Sequence, residues 1–132
     1  MKESTKERLT IVIIEDEEDI LTLYRDYLSS RGHKVLNAYL KANNILEDID
    51  KECPDIFLID YRLPDNKNGI DIATQIVKKF PSAPILFITA YERVVPEVSN
   101  NPLFRNKRVT VLLKPLKLDK LEESMLQLVN EN

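Results

Sequence analysis

One cysteine, one histidine and two glycines are all that the 132 residues offer of three types on which many functions depend. With Cys53 alone no intramolecular disulfide can form, and a reducing cytosolic setting is the natural one. A catalytic thiol is not indicated. The single histidine, His33, stands in the turn-like stretch Arg31-Gly32-His33-Lys34, far in sequence from Cys53 and without triad-like context, so it is expected to be a loop side chain. Gly32 and Gly69 are too few and too far apart to build a phosphate-cradling loop, which argues against a nucleotide-binding α/β protein. Long apolar runs are also missing, and the N-terminal MKESTKER lacks the apolar core of a signal peptide. The expected location is the cytoplasm, with no membrane association. Charge of one sign is scarce too: the net charge is -3 with acids and bases mixed, so direct nucleic-acid binding is not expected. There is no internal repeat and no low-complexity tract.

What the chain does have is a recurring alternation. Five short segments rich in Ile, Val, Leu and Phe, at 10–14, 34–38, 55–59, 84–88 and 108–113, read as strands. Between and after them lie helical stripes: Ile20, Tyr24, Tyr27 and Leu28; then Ala42, Ile45, Leu46 and Ile49; then Ile72, Ala73, Ile76, Val77 and Phe80. Leu118, Leu121, Met125, Leu128 and Val129 mark the last helix. A fourth, before residue 108, should be short or irregular, because Pro96, Pro102 and Asn100-Asn101 interrupt it. Five β-α units predict an α/β fold, a parallel sheet with helices on both faces. Segments 11–14, 56–59 and 85–88 are apolar without alternation, as interior strands are, whereas 34–38 is more polar and suits an edge. That placement fits a flavodoxin-like, doubly wound sheet of order 2-1-3-4-5. The expected organisation is a flexible segment over residues 1–8 and one domain over 9–132, large enough for its own core.

In open α/β sheets ligands bind beyond the carboxyl ends of the strands. The chemically useful residues stand at those ends: Glu15 and Asp16 after the first strand, Asp60 at the third, Thr89 at the fourth and Lys114 at the fifth. Each alone has a plain explanation. The run Glu15 to Asp19 could complement a helix N-terminus, Asp60 could cap a turn, Thr89 could be a β-former and Lys114 a solvated loop cation. Together they describe a pocket. Clustered carboxylates repel and favour a neutralising cation, and an oxygen-only ligand set suits a hard ion, Mg²⁺. A lysine ammonium and a threonine hydroxyl are what an incoming phosphoryl group needs, and an aspartate can accept one.

The stretches IIEDEED, FLIDYRLPDNKNG, ILFITA and LLKP, in this order, resemble the response-regulator receiver domain of two-component signalling, from residue 9 to about 130. The resemblance implies Asp60 as phosphoacceptor, and Glu15 and Asp16 as the acid pair, with Asp16 a direct Mg²⁺ ligand. It also implies Arg62 as backbone-carbonyl ligand, Thr89 as switch hydroxyl, and Lys114, before a cis Pro115, as partner of the phosphoryl group. The phosphodonor it implies is a phosphohistidine on a sensor histidine kinase or phosphotransfer protein. Output would pass by contact with a downstream protein, whose identity and any phosphorylation-dependent dimerisation stay open. Such a domain is not an enzyme beyond self-catalysed transfer to Asp60 and autodephosphorylation. The loop from Pro64 to Gly69 and the stretch from Thr89 to Lys114 are longer than the family's norm. Val111 stands where the family usually has Tyr or Phe, so an aromatic rotamer switch is unavailable. A pseudo-receiver, keeping the fold as a binding module without phosphorylation, is the alternative. A haloacid-dehalogenase-type hydrolase would need an acid where Arg62 stands.

Overall fold

A computed structural model describes residues 5–40, 47, 53–60 and 69–131. Five strands, β1 (Thr10–Ile14), β2 (Lys34–Tyr39), β3 (Ile56–Asp60), β4 (Ile85–Thr89) and β5 (Val109–Leu113), form one sheet. Its order is β2-β1-β3-β4-β5, and each neighbouring pair is parallel. This is the doubly wound arrangement expected from the sequence. The described helices are α1 (Glu18–Ser30), α2 (Gly69–Lys79), α3 (Val94–Ser99) and α4 (Leu118–Val129). The stripe from Ala42 to Ile49 lies, apart from helical Glu47, outside the described residues. No described helix is long and apolar enough to cross a membrane.

The continuous apolar runs are explained by burial on both faces of the sheet. Val12, Ile14, Phe57, Ile59, Ile85 and Phe87 face one core, with Ile72, Ala73 and Ile76 of α2. Ile11, Ile13, Ile56, Leu58, Leu86 and Ile88 face the other, with Leu21, Tyr24 and Leu28 of α1 and Leu121 and Met125 of α4. As expected, the fourth helical unit is short. α3 has 6 residues and gives way to a 3-10 turn at Pro102–Phe104, where the Asn101 side chain accepts the Leu103 N–H at 3.0 Å.

His33 is not the loop side chain that its neighbours suggest. It is 4% exposed, its Nδ1 accepts the Leu9 N–H at 3.0 Å, and its Nε2 meets Glu122 Oε2 at 2.7 Å. Because Nδ1 accepts, the ring proton sits on Nε2 and is donated to the carboxylate. Arg31 Nε reaches the other Glu122 oxygen at 3.0 Å. Burial raises the Glu122 pKa, but bonds from His33 and Arg31 more than offset it and hold the carboxyl below its usual range. The cluster pins α4 to the turn before β2, where Gly32 adopts φ 93°, a conformation that favours glycine. His33→Ala leaves the Leu9 N–H and one carboxylate oxygen without partners. It is expected to cost about 3 kcal/mol in urea unfolding at unchanged m-value. A loss below about 0.5 kcal/mol would mean the cluster is not what holds α4.

At the same end of the sheet Lys6 Nζ pairs with Asp55 Oδ1 at 2.6 Å, and Asp55 Oδ2 accepts the Thr10 N–H at 2.9 Å. Asn130 bonds both the N–H and the carbonyl of Lys6.

Candidate functional site

Parallel strands deliver their carboxyl ends to one rim, and here that rim is acidic. β1 ends into Glu15 and Asp16, while β3 carries Asp60 at its last position beside Ile88 of β4. Carboxylate oxygens of Glu15, Asp16 and Asp60 lie within 4.8 Å of one another. Glu15 is buried, Asp60 half-buried and Asp16 exposed, so the cluster opens to solvent on the Asp16 side. The acidic run divides at Glu17. Glu18 and Asp19 occupy the first turn of α1, where they complement the helix dipole, whereas Glu15 and Asp16 precede it and turn to the rim.

Three carboxylates at this spacing cannot all carry full charge without compensation. The Glu15 pKa is pushed up to about 8, first by burial, then by the charge of Asp60 and a side-chain hydrogen bond with it. The Glu17 N–H, 3.3 Å from Glu15 Oε2, and Lys114 pull the other way without cancelling the rise. Without metal, Glu15 therefore keeps a proton near neutral pH and donates it to Asp60. A proton here does the charge compensation that a hard cation would do, so the donor set fits Mg²⁺.

Two further strands complete the rim. Lys114 follows β5, its Nζ 3.8 Å from Glu15 Oε1, and its N–H donates to the Thr89 carbonyl at 2.7 Å. The Lys114–Pro115 bond is cis. Thr89 is buried at the end of β4, and its hydroxyl accepts the Tyr91 N–H at 3.1 Å, which leaves the hydroxyl hydrogen free to donate elsewhere. Of the residues selected from sequence, Glu15, Asp16, Asp60, Thr89 and Lys114 converge, while Arg62 lies outside the described residues. Tyr24 joins them unforeseen. It reads in sequence as one member of the α1 stripe, yet its phenol is pushed up to about 12, by burial first and then by the charges of Glu15, Asp60 and Glu17. Its position 8 residues after Asp16, about two helical turns, was the only hint in the sequence.

The family profile of the response regulator receiver domain matches residues 11–126. The chain belongs to this family. Among curated relatives it is 31% identical over 109 residues to the luminescence regulatory protein LuxO of Vibrio campbellii, covering 83% of this chain and 23% of that protein. It is 27% identical to the transcriptional regulatory protein CssR of Bacillus subtilis, over 91% of this chain and 52% of CssR. The receiver thus spans about a quarter to a half of the length of these relatives. Among solved structures, the receiver domain of the Erythrobacter litoralis response regulator PhyR superposes with a TM-score of 0.77 at 26% identity, covering 95% of this chain and 92% of that one.

Proposed function

We propose that this receiver accepts a phosphoryl group on Asp60 from a phosphohistidine of a sensor histidine kinase or phosphotransfer protein, in a Mg²⁺-dependent reaction in the cytoplasm. It would then signal by contact with a downstream protein. The observation that carries this reading is the convergence of three carboxylates, one ammonium and one hydroxyl from four different strands on a single solvent-facing rim. A carboxylate oxygen of Asp60 attacks phosphorus, the nitrogen-phosphorus bond breaks, and the departing imidazole keeps the electron pair and takes a proton. Lys114 is within reach to neutralise the phosphoryl oxygens and Thr89 to donate a hydrogen bond to one of them. Glu15, Asp16 and Asp60, with the Arg62 carbonyl, would hold Mg²⁺, whose charge lowers the cost of bringing an anion to an acidic rim.

The test is intact mass after incubation with acetyl phosphate. A gain of one phosphoryl group with Mg²⁺, and none with chelator, supports the reading. A chain that stays unmodified under both conditions is a pseudo-receiver.

Once formed, the acyl phosphate is expected to be shielded. Tyr91, two residues past Thr89, lies at the rim, with the Arg93 guanidinium 5.8 Å from its ring centroid. Arg62 is two residues past Asp60. An aromatic ring or a guanidinium that stood beside the phosphoryl group would obstruct an in-line water. Autodephosphorylation of Tyr91→Ala, Arg62→Ala or the double variant should be several-fold faster than wild type at saturating Mg²⁺. Equal rates in all four proteins would refute shielding.

A further inference from the structure

At the amino ends of the strands, opposite the acidic rim, lies a cavity of about 570 Å³. It is bounded by the entrance to β3, the loop from α2 to β4, the start of β5 and the end of α4. Pro54, Phe80, Pro81, Pro84 and Val129 give it an apolar wall. That wall is pinned in place. The Phe80 N–H donates to the Ile76 carbonyl at 2.7 Å, the Ala83 N–H to the Phe80 carbonyl at 3.0 Å, and the Phe57 N–H to the Pro84 carbonyl at 3.0 Å. The prolines, with φ fixed by their rings, stiffen it further, so the cavity is formed before any ligand arrives. Its volume falls within the roughly 300–1,000 Å³ of small-molecule sites.

Charge selects the occupant. Asp55, also in the lining, is neutralised by Lys6 at 2.6 Å and accepts the Thr10 N–H, so this pair offers a ligand no net charge. Arg108 differs. Its Nη1 donates to the Val129 carbonyl at 3.1 Å, which satisfies a carbonyl at the end of α4 and holds the guanidinium at the cavity. Among the described residues no carboxylate pairs with it, and the rest of its planar fork is left for a ligand. Lys79 lines the cavity too, its ammonium 5.7 Å from the Phe80 ring centroid. A planar cation beside a fixed apolar wall suits a molecule with a carboxylate at one end and an apolar body at the other. An inorganic anion would leave the wall uncovered.

We propose that this cavity binds a small organic carboxylate, with its charged end on Arg108 and its apolar body against Phe80 and the prolines. The site lies at the far end of the sheet from Asp60 and does not depend on phosphoryl transfer, so the test uses the unphosphorylated, metal-free chain. The probe is phenylbutyrate. Its titration is followed by amide NMR and by the rate at which iodoacetamide alkylates Cys53, the single cysteine, which is exposed in the cavity lining. Expected are shifts at Phe80, Ser82, Ala83 and Arg108, none at Glu15, Asp60 or Thr89, and alkylation slowed several-fold at saturation. The uncharged amide of the same acid should bind about tenfold more weakly or worse, and Arg108→Gln should weaken binding of the acid by as much. Acetate and inorganic phosphate, which lack the apolar body, should give neither shifts nor protection at the same concentration. If Arg108→Gln unfolds, the amide decides. Absence of binding, equal binding of acid and amide, unchanged affinity in folded Arg108→Gln, the same shifts with inorganic phosphate, or shifts confined to the acidic rim would each overturn the proposal.

Discussion

Asp60→Asn is expected to take up no phosphoryl group from acetyl phosphate under conditions in which the wild type gains one. The amide cannot supply the anionic oxygen that attacks phosphorus, and it removes one of the charges that would hold Mg²⁺. The same substitution should leave the metal-free fold intact or raise its melting temperature. The charge of Asp60 is one of the causes that push Glu15 up, and an amide oxygen can still accept the Glu15 proton. The pair of outcomes separates loss of chemistry from loss of structure. Uptake at the wild-type rate would remove Asp60 from the role, and uptake lost together with the fold would make the variant uninformative about chemistry, in which case Asp60→Glu is compared by the same two measurements.

The second large effect is the pH dependence of metal binding. Glu15 carries a proton in the metal-free fold up to about pH 8, whereas in the unfolded chain it titrates near 4.5. The folded state thus binds more protons than the unfolded state between these values, and stability of the metal-free protein falls as pH rises through that window. Mg²⁺ competes with that proton. Its apparent affinity should climb by up to about tenfold per pH unit below the Glu15 pKa and level off above it. Glu15→Gln, which has no proton to lose, should flatten the dependence. Asp16→Asn should diminish the rise in melting temperature that Mg²⁺ brings. Calorimetric titrations at about pH 6 and about pH 9 check the first claim. Equal affinities at the two would show that Glu15 does not exchange a proton for the ion.

Most of the architecture was legible because β1, β3 and β4 are buried on both sides and therefore written as unbroken apolar runs. Three strands begin one residue later than their apolar segments suggest, after Asp55, Pro84 and Arg108. Those residues contribute bonds at the strand entrances instead: Asp55 caps Thr10, and Pro84 and Arg108 offer carbonyls to the neighbouring strand. The members of the acidic rim were legible for a topological reason, since in a parallel sheet the residue after each strand must face the same side. Their electrostatics were not. The proton shared by Glu15 and Asp60 depends on a separation in space across 45 residues of sequence. His33 was misread for the same cause. Its partners, Leu9 and Glu122, are 24 and 89 positions away, and Glu122 looks in sequence like one more acid on the outer face of the last helix.

The double hydrogen bond between Lys6 and Asn130 brings the two ends of the described chain together at the rim opposite the acidic one. Tension applied between those ends would load that clasp first. Beyond it the two sides resist differently. β1 is gripped by ladders to both β2 and β3, so a pull along its axis strains many backbone bonds in shear. α4 has no ladder and would peel from its C-terminal end turn by turn, until the Glu122 contacts with Arg31 and His33 stop it. Under load the molecule has a soft end and a hard end, and the soft one is the helix alongside the open edge of β5.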